Sequence, residues 1–168
     1  IAFENGLFNH DKKDSQNFCS GDYKDLANTT PKIGLIKDTK DLILGEHEGY
    51  WNFTVGQRKG IHISNTKPLY VISINQSTNT IYVGEENELY SKTGFIKDVN
   101  WIAIDNLTAP MELDVKIRYA HEGARAITTP EGNGTVKIEF FNEQRAITPG
   151  QFAVFYNNDI LVGSGIIQ

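Results

Sequence analysis

Apolar residues are sparse from Ile1 to Asp25, too few for a convincing strand, and this stretch reads as a short helical remnant followed by a loop carrying Cys19. The texture then changes. Pro31 to Asp38 resembles a strand entering a turn, and Leu42-Ile43-Leu44-Gly45 resembles the strand returning from it. Between Glu46 and Ile63 neither alternation nor a helical stripe holds, and glycines fall at Gly49, Gly56 and Gly60, so something other than a core shapes that segment. A hairpin follows, Leu69 to Ile74 and Thr80 to Gly84 around a polar turn from Asn75 to Asn79.

From about Tyr90 every segment reads as strand. Phe95 to Ile102 leads; Leu113 to Tyr119 alternates at period two, and Val136 to Phe140 does so after the Gly132-Asn133-Gly134 turn. Phe152 to Tyr156 and Ile160 to Val162 pair across Asn157-Asn158-Asp159, and Gly163 to Ile167 closes the chain. The fold predicted is mainly β: a small central β-rich module, then an antiparallel barrel of about six strands, which removes exposed edges. The boundary falls near residue 90, giving a remnant at 1–26, a central module at 27–89 and a barrel at 90–168.

Composition narrows the chemistry. A hydrophobic share of 39% in 168 residues supports a folded core and argues against disorder. The net charge of -5 does not advertise a nucleic-acid binder, so any RNA contact must come from a local cluster of basic and polar groups. One cysteine excludes an internal disulfide framework and a multi-thiolate zinc site. His47 has no second His or Cys at ligand spacing, so no metal is expected. The absence of an apolar run of roughly 18 residues predicts no membrane span and a cytoplasmic protein. The sequence does not start with Met, its only methionine being Met111, and so reads as part of a longer protein.

Candidate chemistry lies in three places. Cys19 is flanked by polar, turn-forming Asn17, Ser20, Gly21 and Asp22, which favours an exposed thiol, although free cysteines often serve as small buried hydrophobes. Gly56-Gln57-Arg58-Lys59-Gly60 sets two cations and an amide between glycines, a composition suited to gripping phosphate and equally to a solvated turn. Arg118 and Tyr119 end a strand, and Gln151 follows a Pro-Gly turn.

These motifs together resemble one family. Gly6-Leu7, Lys13 and Asp14-Ser15-Gln16-Asn17-Phe18-Cys19, then Gly45-Glu46-His47-Glu48-Gly49 and Phe53 to Ile61, then Lys116 to Tyr119 and Arg145 to Tyr156, are similar in kind and order to the tRNA-specific 2-thiouridylases. The resemblance implies the central and C-terminal tRNA-binding part of an enzyme that replaces the wobble-uridine oxygen with sulfur, using ATP to adenylate that oxygen. ATP would be bound by a missing N-terminal domain, with no cofactor in this chain, which alone should be inert. The resemblance also implies that Cys19 receives sulfur as a persulfide from a donor protein and that a second cysteine lies in the missing domain. Gln57, Arg58, Lys59, Arg118, Tyr119 and Gln151 would contact tRNA. The rival reading is a non-enzymatic β-barrel module that binds RNA or serves translation, and the Asp14-to-Cys19 run is what such a module has no reason to carry. A parent enzyme that thiolates another position fits the same residues.

Overall fold

Short alternating segments separated by turn residues can bury one face only by pairing with one another, and this chain pairs them in two separate sheets. The computed structural model describes residues 31–168, and Lys32–Gln168 form one compact unit. The helical remnant and the Cys19 loop expected from the sequence fall outside the described residues.

Strands β1 (Gly34–Asp38), β2 (Ile43–His47), β3 (Tyr70–Asn75) and β4 (Thr80–Gly84) form a sheet in the order β2-β1-β4-β3. β1 and β4 run parallel, and the two outer pairs run antiparallel. Between β2 and β3 the chain leaves the sheet through a short 3-10 turn, η1 (Tyr50–Asn52), and an irregular loop. Ile36, Val71, Ile81 and Val83 are buried with Ile61 of that loop. Asn79, expected only as a polar turn residue, is buried and ties three segments together. Its amide donates to the carbonyls of Lys32 and Ile33 at 2.9 and 3.0 Å and accepts from the Tyr50 N–H at 3.1 Å. A buried amide is tolerated only with such partners, and these fix where η1 begins.

After a second 3-10 turn, η2 (Glu86–Leu89), the chain enters a closed antiparallel barrel as predicted. Its strands are β5 (Tyr90–Trp101), β6 (Met111–Lys116), β7 (Ala124–Gly132), β8 (Thr135–Arg145), β9 (Phe152–Asn157) and β10 (Ile160–Ile167), in the order β10-β5-β8-β7-β6-β9. The inside is filled by Ile96, Leu113, Val115, Ile138, Phe155 and their neighbours, with Trp101 stacked on Phe155 at 5.5 Å. Gly163 and Gly165 let β10 approach β5; a Cβ on Gly165 would lie 2.6 Å from Ile96 Cγ2 and 2.8 Å from the Lys97 carbonyl oxygen.

Two details differ from the sequence reading. β7 carries no hydrophobic alternation because its inward residues are Ala126 and Thr128, and Thr128 satisfies its hydroxyl on the Met111 carbonyl at 2.8 Å. The strand expected to reach Tyr119 stops at Lys116, where β9 ceases to pair with it, and the chain turns with the His121 N–H on the Arg118 carbonyl.

The segment after β8 leans toward the small sheet. The Ala146 N–H donates to the Leu89 carbonyl at 2.8 Å, and the Arg145 guanidinium lies 5.5 Å from the Tyr70 ring and 3.4 Å from Glu86.

Candidate nucleic-acid interface

Because β6 and β9 pair with Asp114 opposite Tyr156 and Lys116 opposite Val154, their outward side chains share one face of the barrel. The turn after β6 brings Arg118 and Tyr119 over that face, and the Pro149-Gly150 turn before β9 brings Gln151. The result is a pocket of about 530 Å³ lined by Lys116, Arg118, Tyr119, Gln151, Phe152, Val154 and Tyr156. Three of the six proposed tRNA contacts, Arg118, Tyr119 and Gln151, thus meet although 33 positions separate the first from the last.

Each group in the pocket has a distinct physical character. Arg118 donates one N–H to the Arg145 carbonyl at 2.9 Å, which aims the guanidinium and leaves its other donors available. Lys116 Nζ sits 5.6 Å from the centre of the Tyr156 ring, a cation held on an aromatic face. Tyr119 is 90% exposed and Phe152 is 60% exposed, apolar rings left in water with no core to serve. Among the described residues no carboxylate lines the pocket, on a chain with 21 acidic and 16 basic residues. The pocket can hold an anion against two cations and offer flat rings beside it.

Lys116, Phe152 and Tyr156 were not singled out in the sequence, yet a signal was there. In Phe152-Ala153-Val154-Phe155-Tyr156 both faces of the strand are apolar, which a barrel strand with one solvated face does not require.

Gln57, Arg58 and Lys59 do not line this pocket. Gln57 spends its amide on its own loop, accepting the Thr54 N–H at 3.0 Å and donating to the Lys59 carbonyl at 2.8 Å. Backbone bonds between Gly56, Gln57 and Val71 dock that loop on β3, leaving Arg58 and Lys59 exposed. His47, placed by sequence near this basic run, is instead buried. Its Nδ1 accepts the Gly49 N–H at 3.0 Å, its ring meets Phe53 edge-on at 5.2 Å, and burial pushes its pKa below the ordinary value. Cys19 lies outside the described residues. Among the described residues no cluster of His, Cys, Asp or Glu could hold a metal ion, and no helix is long and apolar enough to cross a membrane.

Comparison with known proteins decides the family. Residues 26–85 match the tRNA methyl transferase PRC-barrel domain, and residues 91–167 match the aminomethyltransferase beta-barrel domain. Over 174 residues the chain is 47% identical to the tRNA-specific 2-thiouridylase MnmA of Acetivibrio thermocellus, covering 99% of the chain and 48% of that protein. The chain belongs to the tRNA-specific 2-thiouridylase family. The enzymes of that name from Clostridioides difficile and Clostridium perfringens are 44% and 42% identical over the whole chain, which covers 48% and 49% of them. The chain therefore spans about half the length of the curated relatives it matches. These relatives are named as enzymes, so the rival reading, a non-enzymatic β-barrel module that binds RNA or serves translation, is not favoured.

Proposed function

We propose that this chain is the tRNA-holding half of a tRNA-uridine 2-sulfurtransferase and that it carries the sulfur-bearing thiol. The observation that supports the first part is the convergence of Arg118, Tyr119 and Gln151, with Lys116, on one pocket that no carboxylate lines among the described residues. Arg and Lys supply phosphate affinity, and the exposed rings supply stacking, the combination that recognises unpaired RNA. The second part rests on Cys19 and the Asp14-Ser15-Gln16 run before it, as in the family.

In this reading the half of the enzyme not spanned here binds ATP and adenylates the O2 oxygen of the wobble uridine. The outer sulfur of a persulfide on Cys19, loaded by a sulfur-donor protein, attacks C2, and AMP leaves with the oxygen. A second thiol from the other half then attacks the inner sulfur and releases the base sulfur from Cys19. The thiolate is the reactive form at both thiols. The setting is the cytoplasm, where tRNA and reduced thiols coexist.

The test joins this chain to the matching half of a relative and measures 2-thiouridine in tRNA by mass spectrometry. Cys19→Ser should keep tRNA affinity and abolish thiolation. Thiolation at an unchanged rate would remove Cys19 from the role.

A further inference from the structure

A second cleft, of about 500 Å³, opens between the small sheet and the barrel and shares Gln151 with the basic pocket. Its walls are the η1 turn, the start of the Thr54–Lys59 loop, Ile72 to Ile74 of β3 with Gln76 beyond it, and the Ile147-to-Gln151 segment. The loop that supplies Thr54 and Val55 to one wall continues into exposed Arg58 and Lys59, while Gln151 on the other wall leads to Lys116 and Arg118.

Trp51 dominates the cleft. It is 37% exposed, and its ring is backed by Gly49, where a Cβ would lie only 2.3 Å from a ring carbon. Gly49 adopts φ 144, a conformation open to glycine, and Tyr50 packs edge-on against the indole at 5.4 Å. Asn79 holds the Tyr50 N–H, so the turn that presents the indole is anchored to a buried amide. This is the segment whose sequence lacks core periodicity. Thr54, Ser73, Gln76 and Gln151 also line the cleft, with hydroxyls and amides that can both donate and accept.

The electrostatics single out this cleft and its neighbour. Among the described residues neither carries a carboxylate. Three further clefts among the described residues each carry at least one: Asp98 in the first, Glu88 in the second, and Asp114, Glu122 and Asp159 in the third. On a chain of net charge -5, two adjoining clefts with no carboxylate among the described residues, one lined by Lys116 and Arg118 and the other walled by a loop that continues into exposed Arg58 and Lys59, suit a polyanion.

We propose that the cleft is a nucleobase site: an unpaired nucleotide of the tRNA stacks on Trp51, and its neighbouring phosphates run from the Arg58-Lys59 loop over Gln151 to Lys116 and Arg118. This rests on the reading of the chain as a tRNA holder and adds to it a second, aromatic subsite. Duplex RNA presents no free base face, so the site selects single-stranded or loop nucleotides.

Tryptophan fluorescence of this chain, titrated with tRNA at low salt, tests the proposal. The chain has two tryptophans, and Trp101 is stacked on Phe155 in the barrel, so a base on Trp51 should quench the exposed component of the emission. A single-stranded oligouridylate should quench it as well, and an RNA duplex of equal length should not. Trp51→Phe should lose the quench but keep most of the affinity; Trp51→Ala should weaken tRNA binding roughly fivefold or more. Melting curves of both variants establish that they fold, and Trp51→Phe carries the test if Trp51→Ala does not. If Arg118→Ala weakens binding while Trp51→Phe quenches like the parent chain, the cleft is empty of base and the tRNA reading survives without it. If the parent chain binds no tRNA, both fall. If Trp51 in the enzyme joined to its other half is already shielded from acrylamide without tRNA, protein fills the cleft and the proposal is overturned.

Discussion

His47 shows how far a residue's setting can depart from its sequence neighbourhood. Between Glu46 and Glu48 it looks like part of a charged surface, but strand alternation turns it inward, and Gly34 beside it leaves no room for a Cβ. Burial lowers its pKa from 6.5, with backbone groups of Asn79, Gly49 and Leu35 acting in the opposite direction. Above 6.5 the ring is neutral whether the chain is folded or not, so it contributes no pH dependence there. Below 6.5 the unfolded chain takes up a proton that the folded chain resists, and stability falls with pH until the folded pKa is reached. Urea unfolding at pH 7.5 and pH 5.5 should show a larger loss for the parent chain than for His47→Gln. Equal losses would contradict the buried neutral imidazole. The candidate site residues were legible to different degrees. Arg118, Tyr119 and Gln151 were found through the family motifs, whereas the structural duty of Gln57 was not, because nothing in sequence distinguishes an amide that binds RNA from one that closes its own loop.

At the scale of elements, strands with large apolar residues inside and polar ones outside were readable, among them β6 with Leu113 and Val115, and β8 with Val136 and Ile138. β7 was not, because Ala126 and Thr128 face in and the larger Ile127 faces out, so its pattern carries little contrast. The parallel pairing of β1 with β4 was equally silent, since register between strands far apart is set by tertiary contacts. β10 was read as two pieces because glycines interrupt it. Those glycines permit the close approach that closes the barrel against β5. Gly165→Ala should therefore cost about 1–3 kcal/mol, since the added methyl meets a backbone carbonyl that cannot move aside. Thermal melting checks this, and an unchanged midpoint would mean that β10 has slack.

For the whole molecule, net charge argued against nucleic acid while the arrangement of charge argues for it. Among the described residues no carboxylate lines the two clefts that meet at Gln151, one holding Lys116 and Arg118 and the other walled by the start of the Thr54–Lys59 loop. Such a molecule has little general attraction for RNA, and its affinity must be concentrated in few phosphate contacts. The dependence of tRNA affinity on salt, compared between the parent chain and Arg118→Ala, tests this most directly. The parent chain should show a shallow slope of log affinity against log salt, from about four cations at most, and Arg118→Ala should lose about one unit of slope and bind more weakly. An unchanged slope and affinity in that variant would contradict the assignment of this face to tRNA.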